Sequence, residues 1–278
     1  MLSSVDLALA LAFIYFTCGA LPTLVPRPTA NGLGANDGCD ANDTRRRRAR
    51  VSSGPRGRRT TMVFRVSVVF FSKTARLVTL ANVIAEGARA VEGADVRVFR
   101  VRDTTRAEED ASAYERGILD CAIVTPQDIL ESDCVIFGAQ TRHGRLAPEM
   151  SLFFDRLASF HANGCALKGK IGSSFTEVGG PGQGYGGHEI SLMTFHSFFM
   201  QHGMISVGVP PLPVLESAQN STVFGTTISG GSTVRGANGP VSRVRELSAE
   251  EVKLAYAQGE WASVIAKQLH DDGELGDA

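Results

Sequence analysis

Apolar and polar residues alternate with two different periods along residues 63–270. Residues 66–71 are apolar apart from Ser67, which predicts a buried strand. A short loop at 72–74 follows, and then apolar residues at helical spacing from Leu77 to Val91 predict a helix. A loop that leads from a strand into a helix points main-chain N–H groups and the helix dipole at an anion. The stretch is therefore a candidate phosphate site, although an ordinary connection would show the same pattern.

The same alternation continues to the end of the chain. The predicted strands cover 95–101, 134–137, 170–175 and 204–209, and the predicted helices cover 125–130, 148–160, 188–201 and 249–269. Thr125 followed by Pro126 is a typical start of the first of these helices. Five strands that alternate with helices predict an α/β fold with one doubly wound parallel sheet and right-handed crossovers.

Ligands of such sheets bind outside the carboxyl ends of the strands. That rule selects three loops, at 72–77, 138–146 and 176–187, which are rich in glycine and hydroxyl side chains. None of the three offers a nucleophile with a base or a set of metal ligands. The loops therefore predict a site that holds a flat, phosphate-bearing ligand, with the chemistry carried by the ligand.

Two short motifs suggest other functions and do not meet their requirements. His188-Glu189 begins like a zinc-protease motif, but His196 lies eight positions after His188, whereas zinc binding needs two histidines one helical turn apart. The glycines at 182–186 follow the fourth predicted strand and have the wrong spacing for a dinucleotide fingerprint. We therefore expect neither a metal site nor a Rossmann-type site.

Several single residues are interpreted as structural. His161, His196 and His270 are expected to be surface or packing residues, and Trp261 is expected in the core. His202, at a predicted helix end, either interacts with the helix dipole or faces a ligand. The five cysteines form no CxxC pair, which argues against a disulfide framework and indicates a reducing compartment for the body of the protein.

Charge separates the first 62 residues from the rest. They carry nine arginines and no lysine against four aspartates, whereas residues 63–278 carry 19 basic and 25 acidic residues. An acidic body argues against nucleic acid as a partner. Residues 5–16 suit the apolar region of a signal peptide, and the arginine-rich segment after them is expected to be disordered. The leader predicts that the protein is targeted to an organelle (by a plastid or secretory route) or associates with a membrane. The alternative is a cytoplasmic protein.

A set of motifs in the body resembles the WrbA-type NAD(P)H:quinone oxidoreductases of the flavodoxin-like superfamily. They are Phe71-Ser72, Ala85-Glu86-Gly87-Ala88, Ile136-Phe137-Gly138 with Thr141-Arg142-His143-Gly144, Gly186-Gly187-His188-Glu189, Gln201-His202-Gly203-Met204, Phe224-Gly225-Thr226-Thr227 and Ala257-Gln258-Gly259-Glu260. The resemblance covers residues 64–270. It implies a five-stranded sheet of order 2-1-3-4-5 with helices on both faces, and a homo-oligomer, dimer or tetramer, with its sites at subunit contacts.

The resemblance also implies FMN as the cofactor and NADH or NADPH as the co-substrate in a two-electron reduction of quinones. The implied FMN-binding residues are Ser72, Lys73, Thr74, Arg76, Leu77, Gln140, Thr141, Arg142, His143, Gly144, Thr176, Glu177, Val178, Gly179, Gly180 and His202. Arg142 would stabilise the reduced flavin, His202 would assist protonation of the quinone, and Phe224 would cover the substrate pocket.

The chain departs from the family pattern at the first loop. Ala75 replaces a glycine, so we expect strain there if the position needs a positive φ. Lys73 and Arg76 are expected to add positive charge beside the phosphate. Gln140 and His143 also differ from the family residues, and residues 181–185 lengthen the glycine loop.

Two other functions are compatible with these residues. One is a flavodoxin-like scaffold or regulatory protein that binds FMN weakly or not at all, which the altered first loop would favour. The other is a one-electron carrier of the flavodoxin type, which the extended loops and Phe224 disfavour.

Overall fold

The computed structural model describes residues 63–73, 75–104, 118–179, 186–212, 222–229, 233–236, 239–242 and 246–271. The predicted leader, residues 1–62, lies outside them. The helices are α1 (Ala75–Arg89), α2 (Pro126–Leu130), α3 (Pro148–Ala162), α4 (His188–Gln201) and α5 (Ala249–Asp271). The strands are β1 (Phe64–Phe71), β2 (Ala94–Arg100), β3 (Ala122–Ile123), β4 (Cys134–Arg142), β5 (Arg145–Leu146), β6 (Ile171–Val178), β7 (Ile205–Ser206), β8 (Thr226–Ser229), β9 (Thr233–Gly236) and β10 (Gly239–Ser242).

The strands form a mainly parallel sheet of order β3-β2-β1-β4-β6-β7, in which β8 also pairs with β6. Only β5 runs antiparallel in this sheet, against the end of β4, while β9 and β10 form a separate hairpin. Apart from the added short strands, this is the expected order 2-1-3-4-5. The prediction of a flavodoxin-like α/β fold is confirmed.

Alternate residues of β1 pack into two separate hydrophobic cores, one on each face of the sheet. Phe64, Val66, Val68 and Phe70 pack with α1 and α5 on one face, and Val69 and Phe71 pack with α3 and α4 on the other. This alternation follows from the two-residue period of a strand, because a central strand covered on both faces needs apolar residues at every position. The second core is aromatic around Phe137, whose ring contacts five other phenylalanines: Phe153, Phe154, Phe195, Phe198 and Phe199.

The place beside β6 that the predicted fifth strand at 204–209 would fill is divided between β7 and β8, which corrects the sequence prediction. β7 pairs with the start of β6 at Ile171 and Gly172, and β8 pairs with the end of β6 from Phe175 to Val178. β7 ends at Ser206, before Pro210 and Pro211, and the N–H of Val207 donates to the carbonyl of Gly172 in β6 at 2.8 Å. The N–H of Val209 already bonds to the carbonyl of Val223 in the returning segment, at 2.9 Å.

Other predictions have mixed outcomes. Thr125 caps α2 with a reciprocal pair of hydrogen bonds to Asp128, as expected. The prediction that Trp261 lies in the core is wrong, since 43% of its surface is exposed. Its helix already fills the core with small residues on the opposite face. None of the described helices combines the length and apolarity that a membrane span requires.

Two glycines allow α1 and α5 to lie close together. A Cβ added at Gly87 would lie 2.0 Å from the carbonyl oxygen of Tyr256, and one added at Gly259 would lie 1.9 Å from that of Ile84. Both clashes are with main chain, which a side-chain rotation cannot relieve. The absence of a side chain at these two positions therefore sets the distance between the helices.

We expect Gly259→Ala to reduce the free energy of unfolding by about 1–3 kcal/mol, because the helices must move apart or strain. Urea denaturation followed by circular dichroism measures it. Gly179→Ala is the matched control: no atom of the described residues lies within 4 Å of its added Cβ, so we expect a change within about 0.5 kcal/mol. Equal stability of the two variants would contradict the packing explanation.

Candidate ligand site at the carboxyl edge of the sheet

The ends of β1, β4, β6 and β8 meet at one edge of the sheet, together with the start of α1. β1 lies between β2 and β4, so the chain order reverses direction beside β1, between it and β4. In open α/β sheets this switch point separates the adjacent loops and creates a crevice where ligands bind. The first two predicted loops, after β1 and β4, flank the crevice.

A buried ion pair connects α1 with the ends of β6 and β8. Arg76 is 6% exposed and Glu177 is 5% exposed. The Nη2 of Arg76 lies 3.8 Å from Oε1 of Glu177 and donates to the carbonyl oxygen of Ser229. The Nε of Arg76 is also buried, and no hydrogen-bond partner for it exists among the described residues. The guanidinium is thus only partly satisfied within the described chain.

Gln140 extends this connection across the sheet. Its Nε2 donates to Oε2 of Glu177 at 3.1 Å, and its Oε1 accepts from the main-chain N–H of Lys73 at 3.0 Å. The side-chain amide therefore joins the loop after β1 to the end of β6. One of the loop N–H groups that would be expected to face an anion is used within the protein.

Acidic residues offset the positive charge that was expected beside the phosphate. The Nζ of Lys73 lies 3.3 Å from Oε1 of Glu149 and 3.8 Å from Oδ2 of Asp103. With the carboxylate of Glu177 beside Arg76, three carboxylates face the two cations. The expectation of added positive charge is therefore corrected: the local formal charge of these five groups is negative.

Hydroxyl groups line the other side of the same edge. Thr141 Oγ1 lies 3.2 Å from Oγ1 of Thr176 and 3.2 Å from Oγ of Ser191. Thr176 donates to the carbonyl oxygen of Ala139 at 2.7 Å. Because Ser191 belongs to the first turn of α4, these bonds hold the start of that helix against the ends of β4 and β6.

The loop after β4 is a tight hairpin. His143 and Gly144 have φ of 51° and 75°, as the two central residues of a type I′ turn require. Gly144 packs against Gly187 at the start of α4, since a Cβ on Gly187 would lie 2.4 Å from the Cα of Gly144. Arg142 and His143 are exposed on the hairpin, so their side chains are accessible at the rim of the crevice.

Phe224 lies further back along the sheet than the three loops. Its carbonyl oxygen accepts from Nε2 of His196 at 2.6 Å and from Oγ of Ser174 at 3.2 Å. The Nδ1 of His196 bonds to Ser206 on β7. His196 is therefore a packing residue, as expected, and it joins both halves of the divided fifth strand. The ring of Phe224 remains 38% exposed.

His202 is not brought to this edge within its own chain. It follows the last residue of α4, and the next residue, Gly203, accepts a hydrogen bond from Gly169 just before β6 begins. Its ring contacts Phe198 and lies 5.7 Å from the ring of His161. Since Ser191 at the other end of α4 marks the crevice, His202 lies at the opposite edge of the sheet, about 15 Å along the helix.

The remaining predicted residues have different surroundings. Ser72 is buried beside the crevice, whereas Leu77 points from α1 into the core. Val178 is buried at the end of β6, and Gly179, which follows it, is exposed. Thr74, Gly180 and the insertion at 181–185 lie outside the described residues. Ala75 is the first residue of α1, a position with helical dihedrals, so the expected strain at this alanine is not found.

Four residues of the site were not predicted. Glu149 lies at the start of α3 and Asp103 just after β2, and neither position carries a sequence motif. Ser229 contributes a main-chain oxygen, which does not depend on the type of side chain. Ser191 contributes one hydroxyl from the first turn of α4. Only their position could have indicated these residues, because each lies near the boundary of a strand or helix at the carboxyl edge of the sheet.

The donors present fit a phosphate-bearing flavin. The buried Nε of Arg76 has no described partner and is a suitable donor to an anion. The hydroxyls of Thr141 and Thr176 and the amide of Gln140 suit the polar edge of a flat ring. The fold and the site together define a flavodoxin-like protein with a crevice suited to a flavin nucleotide.

Comparison with known proteins agrees with this class. The family model described as NADPH-dependent FMN reductase matches residues 72–214, just over half of the chain. The chain therefore belongs to the NADPH-dependent FMN reductase family, whose members have a flavin-binding oxidoreductase fold.

Solved structures that match the chain share little sequence with it. RosB with a bound formylriboflavin phosphate intermediate has a TM-score of 0.50 at 11% identity, over 77% of this chain and 83% of that one. A WrbA-like flavodoxin protein from Agrobacterium tumefaciens has a TM-score of 0.48 at 16% identity, over 74% and 98%. The apo form of an NADH:FMN oxidoreductase, EMOB, has 0.46 at 12%, over 73% and 90%.

His202 should make stability depend on pH. Burial, and then the nearby His161, lower the pKa of His202 below the usual histidine value of about 6.5. As the pH falls from 6.5 towards the lowered pKa of the folded state, the unfolded chain takes up a proton at this position that the folded chain does not yet bind, so the free energy of unfolding decreases as the pH decreases. Above that pH both states are neutral at His202.

We expect His202→Asn to lose less stability than the wild type when the pH falls from neutral through the window below 6.5. Thermal unfolding at a series of pH values measures the difference, and an NMR titration of the ring protons reports the pKa directly. Parallel stability curves for the two proteins would contradict this assignment.

Proposed function

We propose that the protein is an FMN-dependent NAD(P)H:quinone oxidoreductase. The observation that carries the proposal is the partly satisfied, buried Arg76 at the switch point, next to the loop that leads from β1 into α1. A buried cationic donor and a helix start provide the chemistry that holds a phosphate group. Membership of the NADPH-dependent FMN reductase family supports the flavin and the nicotinamide nucleotide.

The chain's own residues would bind and orient the ligand. Ser72, Lys73 and Arg76 would hold the phosphate end, while Gln140 and Thr141 would face the polar edge of the ring system. When bound, FMN supplies the two-electron chemistry, taking a hydride from the nicotinamide nucleotide and passing electrons to the quinone. Arg142, exposed at the rim, would offset negative charge near the ring.

The quinone-protonating role that the resemblance implies for His202 requires a second copy of the chain. In one chain His202 lies at the opposite edge of the sheet from the crevice, beside Gly203 and the start of β6. We therefore assign His202 a role at the site only in a homo-oligomer, where the end of α4 of one subunit would approach the crevice of another.

This assignment predicts that His202→Asn lowers quinone turnover only under conditions where the oligomer persists. Turnover per subunit across a dilution series, with mass measured by light scattering, provides the test. The control is His270→Asn. His270 is a half-buried residue of α5 that lies 3.8 Å from Asp133 and has no role at the crevice. Unchanged turnover of the oligomeric His202→Asn variant would eliminate the role.

The function itself is tested by a visible spectrum of the full-length protein with FMN, followed by addition of NADH or NADPH and then benzoquinone. We expect flavin absorbance that co-purifies or binds on addition, is lost with the nicotinamide nucleotide and returns with the quinone. Absence of bound flavin would eliminate the enzyme. Bound flavin that the nicotinamide nucleotide leaves unchanged would favour the one-electron carrier.

One observation favours the second candidate, a scaffold or regulatory protein with weak FMN binding. The cations and the loop N–H at the crevice are already engaged within the chain, by Glu177, Glu149 and Gln140. Any phosphate group has to compete with these acceptors. The spectrum described above separates the two candidates, because a scaffold would show little or no absorbance from bound flavin.

A further inference from the structure

We propose that Glu177 is an internal competitor for Arg76 and thereby keeps the affinity of the crevice for phosphate low. The inference rests on the proposed flavin site and adds what limits its affinity. Glu177 would make the protein bind the phosphate-bearing FMN with little advantage over riboflavin, which has the same ring system and no phosphate. A flavin held in this way exchanges with solution.

The first step of the argument is the geometry of the guanidinium. Nε and Nη2 form one edge of the group, and this edge binds a phosphate through two parallel hydrogen bonds. In the protein Nη2 donates to the carbonyl oxygen of Ser229 and lies 3.8 Å from Oε1 of Glu177. On this edge, Nε is the nitrogen that has no hydrogen-bond partner among the described residues. A phosphate can therefore use half of the edge unless Nη2 changes its partner.

The second step is the charge of Glu177 itself. Its carboxylate is nearly fully buried next to the same guanidinium, so a phosphate bound to Arg76 would bring like charges together with little water to screen them. Lys73 does not compensate, because Glu149 and Asp103 already face its ammonium group.

The third step is that Glu177 is held in position. Gln140 donates to Oε2 of Glu177 and accepts from the Lys73 N–H, which ties the carboxylate to the loop after β1. Glu177 also lies in β6, paired with β4 on one side and β8 on the other, so its main chain cannot move away. The carboxylate therefore stays close to Arg76 when a ligand approaches.

The test compares Glu177→Gln with Glu131→Gln in the full-length protein. Both substitutions remove one negative charge, but Glu131 is exposed and pairs with Arg65 at the opposite edge of the sheet. Equilibrium titration of FMN and of riboflavin, followed by flavin fluorescence, gives the Kd values. We expect Glu177→Gln to bind FMN at least about tenfold more tightly than the wild type. Its riboflavin affinity, and both affinities of Glu131→Gln, should stay within about twofold.

A double variant tests whether the gain acts through Arg76. Adding Arg76→Gln to Glu177→Gln should abolish the improvement for FMN and leave riboflavin binding unchanged. If Glu177→Gln is too unstable for the flavin titration, its melting temperature is measured with and without inorganic phosphate instead, because a bound anion stabilises the folded state. Phosphate should then raise the melting temperature of Glu177→Gln more than sodium chloride of equal ionic strength, and more than it does for Glu131→Gln.

The outcomes separate the inference from the proposed function. If the wild type binds flavin and Glu177→Gln shows no gain for FMN, or an equal gain for riboflavin, the inference is wrong and the function stands. The inference is likewise wrong if phosphate stabilises both glutamine variants equally. If none of the folded proteins binds either flavin, the proposed function fails, and the inference fails with it.

Discussion

The buried guanidinium of Arg76 is the constraint on which the carboxyl edge of the sheet depends. A cation removed from water has to be compensated by charge and hydrogen bonds, or it destabilises the fold. Here the compensation comes from Glu177 on β6 and the carbonyl of Ser229 on β8. Gln140 continues the connection to β4 and to the loop after β1. The need to neutralise one arginine thus connects α1 with the ends of four strands.

The same requirement explains why the crevice has donors suited to a ligand and, beside them, acceptors of the same chain that already engage those donors. The fold brings a helix start, a buried cation and several hydroxyls to the switch point, which is the arrangement that flavin-binding sheets use. However, the chain also places three carboxylates beside its two cations. The protein has a flavin-binding oxidoreductase fold, and the charged side chains at its crevice are paired within the chain.

The fold could be predicted from sequence to a large extent because the hydrophobic pattern is a local property. The period of apolar residues gave the helices from 148 and 188 nearly to the residue, and it gave the start of the strand at 134, which continues to Arg142 beyond the predicted end at 137. The divided fifth strand was missed because β8 is four residues long and pairs with a strand about 50 positions earlier. A local pattern does not reveal such a partner. The exposure of Trp261 was missed because one aromatic residue does not show which side of a helix faces the core.

The sequence by itself determined the order of the main elements and the edge of the sheet at which the predicted loops lie, since parallel strands all end on the same side of a sheet. The structure shortens two of those loops, because β4 continues to Arg142 and β6 to Val178. Only the tertiary structure decided which charges meet there. Glu149 and Asp103 face Lys73, Glu177 faces Arg76, and His202 lies at the far end of α4. Electrostatic interactions depend on distances of a few ångströms between residues remote in sequence, and strand and helix periodicity carries no information about those distances.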